Sequence, residues 1–119
     1  MTYQDVKSML DELSALLGIP YGYEAYRKGT APEPPYFLFT FPESNDFMAD
    51  DRNYAKFRTL DIELYTLKKN FAMEMKLEKF LQDHDMPYAL LADEWLDTEG
   101  MHETLYEMSV NITEESEEA

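Results

Sequence analysis

Few side chains in this sequence have the chemistry for catalysis or metal binding. His84 and His102 are the only two histidines, the one residue type whose ordinary titration falls near neutrality. Cysteine is missing altogether, which removes disulfides, thiolate zinc sites and cysteine nucleophiles by inventory. His84 sits between Asp83 and Asp85 at the expected end of a helix, and His102 falls in an expected hairpin turn. A nucleophile needs an adjacent base and a group that orients it, and neither histidine has such companions at usable spacing. Both read as structural residues.

The acidic stretch from 43 to 53, with Ser44, Asn45, Asp46, Asp50 and Asp51, offers oxygen donors of the kind calcium takes. It has no glycine for the sharp turn and lacks the alternating acids of an EF-hand loop. The four glycines, Gly18, Gly22, Gly29 and Gly100, form no phosphate-cradling loop. No catalytic residue, metal ligand or cofactor site is expected, and the chain reads as a non-enzyme. Its rivals are an acidic protein that mimics nucleic acid to block a host DNA-binding protein, and a metal-dependent enzyme built on His84 or His102.

Charge carries more information than motif. Twenty-five acids against ten bases give a formal net charge of −15, which argues against nucleic-acid binding, since phosphate contacts draw on Lys and Arg. The bases are clustered. Seven of them (Arg52, Lys56, Arg58, Lys68, Lys69, Lys76, Lys79) lie between 52 and 79 with four acids, a local balance of +3. From Phe80 to Ala119 there are twelve acids and no Lys or Arg. Two readings are open: a solvated acidic surface that keeps the protein soluble, or two complementary faces.

These features must be positioned by local elements. Val6, Met9, Leu10, Leu13, Leu16 and Leu17 recur at three- and four-residue spacing, predicting a helix over 3–17 with Thr2 as cap and Gly18 as stop. A short strand is expected over 21–26, a turn over 27–30 and an extended proline connector over 31–35. Tyr36 to Phe41 is apolar on both faces except at Thr40, predicting a central strand covered by helices on one side and by a partner or loop on the other. Residues 42–53 read as a surface loop with Phe47 and Met48 at its tip. Thr59 to Tyr65 alternates as a half-buried strand.

Asn70 can cap a second helix whose buried face is expected to hold Phe71, Met75, Leu77 and Leu81, with Glu74, Lys76, Glu78 and Lys79 solvated and Pro87 ending it. A hairpin follows: 88–97, a turn through Thr98, Glu99 and Gly100, and 105–113. Leu90-Leu91 and Trp95-Leu96 spoil the alternation of its first strand and suggest a bulge. The expected fold is α+β, a mostly antiparallel sheet of four to five strands with two helices packed on one face, in a single domain over 1–113. Residues 114–119 form an acidic tail expected to be disordered. The N-terminus lacks a signal-peptide pattern and no stretch is long and apolar enough to span a membrane, so cytoplasmic synthesis without membrane contact is expected. Aromatic and Met residues beyond core needs, among them Phe37, Phe39, Phe47 and Met48, suggest a subunit interface.

Several short motifs occur in a recognisable order. They are Pro34-Pro35-Tyr36 entering an aromatic strand, Asn45 and Ala49-Asp50 in the polar loop, Tyr54 after it, Ile62-Glu63-Leu64-Tyr65-Thr66-Leu67-Lys68-Lys69, a Glu-rich amphipathic helix, and Tyr106-Glu107 in the closing strand. In this the chain resembles the tail-terminator, or tail-completion, proteins of long-tailed bacteriophages and prophages of Gram-positive bacteria. Asn70 stands where the pattern expects an acid, and either residue caps a helix. The resemblance implies a virion protein made in the bacterial host cytoplasm that forms a ring, expected to be a hexamer, at the head-proximal end of the tail. That ring ends tube growth and prepares head joining, with the tail-tube protein and a head-completion or connector protein as partners. It further implies that the polar loop and its flanks are interface residues: Asn45, Asp46, Phe47, Met48, Asp50, Arg52 and Tyr54, with the cations Lys56, Arg58, Lys68 and Lys69.

Overall fold

Thr2 opens helix α1 (Tyr3–Leu17) with a reciprocal cap: its hydroxyl accepts the Asp5 N–H at 3.0 Å, and the Asp5 carboxylate accepts the Thr2 N–H at 2.8 Å. Gly18 closes the helix at φ 68°, a left-handed conformation that suits a residue without Cβ, and donates its N–H to Ser14. Val6, Met9, Leu10, Leu13 and Leu17 are buried as expected, whereas Leu16, on the margin of the stripe, is 51% exposed. The computed structural model describes residues 1–26, 29–42, 47–49 and 52–113, the side chains of 47–49 and 52–55 excepted.

The remaining elements are β1 (Tyr21–Tyr23), β2 (Tyr36–Thr40), β3 (Phe47–Ala49), β4 (Arg52–Thr66), α2 (Phe71–Asp83), β5 (Ala89–Leu96) and β6 (Met101–Ile112). The sheet runs β1-β2-β4-β6-β5, with β3 attached to the first residues of β4. Among the described pairings only β1 with β2 is parallel. The α+β fold with a mostly antiparallel sheet is therefore as the sequence predicts, with β3 as an added strand.

Strand β4 is the spine. Its fifteen residues at ~3.4 Å each reach ~50 Å, the 50 Å long axis of the molecule. Leu60, Ile62 and Leu64 are fully buried; Met108, Tyr106 and Thr104 of β6 lie opposite them, and Tyr106, Met108, Val110 and Ile112 are at most 4% exposed. These side chains meet α1 and α2 in one core. The other face of the sheet carries a smaller cluster of Tyr36, Leu38 and Tyr65, with Tyr26, Leu96 and Met101 packed against it. The second face of β2 is thus covered by the chain's own residues. No partner is needed there.

Three expectations fail for reasons of tertiary pairing. Residues 47–49 form β3 on β4, so Phe47 and Met48 belong to a hairpin strand and not to a loop tip. The β6 strand begins at Met101, four residues before the expected start, because Met101 pairs with Leu96 of β5 and His102 to Thr104 pair on both sides, with β5 and with β4. Helix α2 is turned from the expected phase. It buries Leu77, Phe80, Leu81 and Glu74, and leaves Phe71 and Met75 70% and 68% exposed. The expected irregularity of β5 is present as a register shift between Leu90 and Ala92. Residues 27 and 28 of the expected turn and 114–119 of the tail lie outside the described residues.

Candidate functional site

His102 is not in a turn. It lies in β6, 9% exposed, across from Trp95 of β5, and its Nε2 is 2.6 Å from Asp93 Oδ1. Asp93 also receives the Lys69 ammonium at 2.8 Å, and the same ammonium lies 2.6 Å from Glu74. Thr104 donates its hydroxyl to Glu74 from below at 3.4 Å. The hydrogen bond from Lys69, then that from His102, holds the Asp93 carboxyl below the ordinary aspartate range. Burial pulls Lys69 down, but its bonds to Asp93 and Glu74 outweigh it and leave the ammonium more basic than usual. The network ties the start of α2 to β5 and β6.

His84 caps α2, with Nδ1 2.9 Å from the Phe80 carbonyl and Nε2 3.4 Å from Glu12 of α1. Among the described residues no group of three or more His, Asp or Glu is arranged to hold a metal ion, and no helix is long and apolar enough to cross a membrane.

Surface chemistry is concentrated at the two sheet edges. At the β1 edge, the start of α1 and the ends of β1 and β2 enclose a cleft of about 550 Å³. Tyr3, Tyr23, Phe39 and Phe41 wall it, and Lys7 and Arg58 stand at its rim. The rings brace one another: Tyr3 meets Phe41 edge to face at 5.3 Å, Phe41 meets Phe39 at 6.1 Å, and Tyr23 leans on Phe39 at 5.1 Å. Pairs of this geometry add to burial. Lys7 bonds Asp11 and the Tyr21 hydroxyl.

At the opposite edge, β5 pairs with β6 on one side only, so its outer backbone groups face outward. Leu90 and Trp95 lie on the helix-bearing side, since their partners across the ladder are Tyr106 and His102. They are 48% and 51% exposed. Phe71 and Met75, one turn apart on α2, add to the apolar surface of this half of the molecule, and the Lys69 ammonium lies 4.9 Å from the Phe71 ring centre.

Of the expected interface residues, Arg52 and Tyr54 lie in the first part of β4 and Phe47 and Met48 in β3, while Asn45, Asp46 and Asp50 fall outside the described residues. Lys56 and Arg58 follow on β4, and Lys68 is exposed in the β4–α2 connection. Lys69 sits apart from these, neutralised by carboxylates of its own chain. The exposed group Phe71, Met75, Leu90 and Trp95 was not anticipated. Its trace in the sequence is the poor alternation of β5 and the four-residue spacing of Phe71 and Met75, separate from that of Leu77 and Leu81.

No family model matches the chain, and no curated protein matches it. A solved structure does, a chain of the virion of a native gene transfer agent (GTA) particle. The likeness is one of fold. The two chains are 16% identical with a TM-score of 0.57, over 89% of this chain and 91% of that one.

Proposed function

We propose that this chain is a non-enzymatic virion assembly protein, a tail terminator that forms a ring at the head-proximal end of a phage-type tail and completes the tail for head joining. The observation that carries the reading is the fold, which over 89% of this chain is similar to that of a chain of a gene transfer agent virion. The ordered motifs from Pro34 to Glu107 support the finer assignment, and the opposite charge of the segments 52–79 and 80–113 supports self-assembly. A ring is built by a heterologous contact, in which two different patches of one subunit meet, and the two sheet edges differ in shape and in charge. The β3–β4 hairpin, with Phe47, Met48, Arg52, Tyr54 and the adjoining Lys56 and Arg58, is the element assigned to subunit and tail contacts. Asn45, Asp46, Asp50 and Lys68 are further contact residues proposed from the resemblance, Lys68 following the far end of β4.

The test is direct. Purified protein measured by size-exclusion with light scattering should give a closed oligomer, with six subunits expected. Mixed with growing tail tubes, it should cap one end and stop elongation. A chain that stays monomeric and leaves tube length unchanged would end the tail-terminator reading.

A further inference from the structure

The chain contains one tryptophan, and it is half exposed on an edge strand. Trp95 projects from β5 on the helix-bearing side. A large aromatic left in water at an open sheet edge is unusual for a monomer's surface and typical of an interface anchor. The cleft at the far edge has the complementary character: aromatic walls, a rim of Lys7 and Arg58, and a volume of about 550 Å³, within the ~300–1,000 Å³ of sites that enclose ring-sized groups.

We propose, resting on the ring reading above, that Trp95 of one subunit inserts into the cleft walled by Tyr3, Tyr23, Phe39 and Phe41 of the next. A second copy of this chain is the occupant that charge selects. Residues 52–60, which run past the cleft in β4, hold Arg52, Lys56 and Arg58 and no acid. Residues 89–103, which carry Trp95, hold Asp93, Glu94, Asp97, Glu99 and Glu103 and no Lys or Arg. The charged residues lining the cleft, Lys7 and Arg58, are cations, complementary to the acids that surround Trp95. Like edges repel, so the contact is head to tail.

The two patches also sit at different heights. Arg58 marks the cleft and Thr66 pairs with His102, the residue across from Trp95; eight steps along β4 separate them, ~27 Å. Subunits joined this way close into a ring when they lean relative to the ring axis.

Trp95 is its own reporter. Its emission should be that of a solvated indole in dilute protein and shift to the blue as the oligomer forms. Trp95→Ala and Tyr23→Glu, changes at two half-exposed positions, should each weaken self-association by ~30-fold or more, the loss expected for an interface anchor. Mixing the two should restore a single contact, because the first variant keeps an intact cleft and the second an intact tryptophan. Light scattering then reads a one-to-one pair, and the emission of the Tyr23→Glu chain moves to the blue. Tyr3→Ser serves as a second cleft variant if Tyr23→Glu fails to fold. A parent ring whose tryptophan stays solvated, or a Trp95→Ala variant that assembles as well as the parent, overturns this interface and leaves the ring reading standing. A parent and a variant mixture that both stay monomeric overturn the interface and the ring together.

Discussion

The ammonium of Lys69 stands 2.6 Å from the carboxylate of Glu74, which is 5% exposed in the first turn of α2. Removing one member of a buried pair strands the other's charge. Lys69→Met should therefore destabilise the protein by about 3 kcal/mol, the low end for such pairs because the Lys69 side chain keeps 26% exposure. That corresponds to a melting point lower by roughly 12 °C, at ~4 °C per kcal/mol. Adding Glu74→Leu should recover most of the loss. A single variant that melts within ~4 °C of the parent would mean water reaches Glu74. The partner acid Asp93 titrates below its ordinary range, so its contribution is present above the unfolded aspartate pKa and is lost as pH falls through the lowered folded value.

Two tyrosines predict the alkaline limit. Tyr65 lies against Glu63 and Glu103, and Tyr106 donates to Glu78 at 2.8 Å. Burial first, and then these carboxylates, push both hydroxyls far above the usual tyrosine range. The folded-state values are raised, so stability is full below the unfolded pKa of ~10 and falls as pH rises beyond it, by ~1.4 kcal/mol per pH unit for each tyrosine. Urea midpoints taken from pH ~9 to ~11.5 should show this slope, and Tyr106→Phe should reduce it by about half. An unchanged slope in that variant would remove Tyr106 from the account.

The phase of α2 can be checked by stability alone. Met75→Ser changes a side chain that is 68% exposed and should stay within ~0.5 kcal/mol of the parent. Leu77→Ala, at a position with no exposure, should cost ~2–5 kcal/mol. Equal urea midpoints for the two variants would restore the helical face expected from spacing.

Charge reversal on β4 tests assembly apart from folding. In the proposed ring, Arg52→Glu with Lys56→Glu would place acids on a segment that meets the acidic part of a neighbouring subunit. Oligomer formation measured by light scattering should fail at low salt, with the monomer's far-UV spectrum and melting little changed. Assembly of parent and variant to the same extent at low and moderate salt would take charge pairing out of the interface. Because rim charges steer encounter, added salt should slow the parent's association before it lowers the final amount of oligomer.

Local signals were legible in the sequence and proved reliable. The bounds of α1 are written in Thr2, Asp5 and Gly18, the start of α2 in Asn70, whose side chain accepts the Met73 N–H at 3.0 Å, and the inner face of β6 in the alternation from Tyr106 to Ile112. Each depends on residues within a few positions of one another, so the chain encodes it without help from the rest of the fold. The separation of charge along the chain is likewise read directly from the sequence.

Contacts distant in the chain decided everything else. Helix α2 has two apolar stripes, Phe71 with Met75 and Leu77 with Leu81, and periodicity does not say which of them meets the sheet. Glu74 settles the choice by going inward to Lys69 and Thr104, carrying Leu77 and Leu81 with it and leaving Phe71 and Met75 in water. His102 changes from a turn residue to a buried partner of Asp93 because β6 pairs at that position on both sides, with Thr66 of β4 and Trp95 of β5. The two edges of the sheet, with the aromatic cleft on one and Trp95 on the other, exist only once the strand order β1-β2-β4-β6-β5 is set. That order joins residues as distant as Lys56 and Ile112, and only the closing of those long loops makes the arrangement visible.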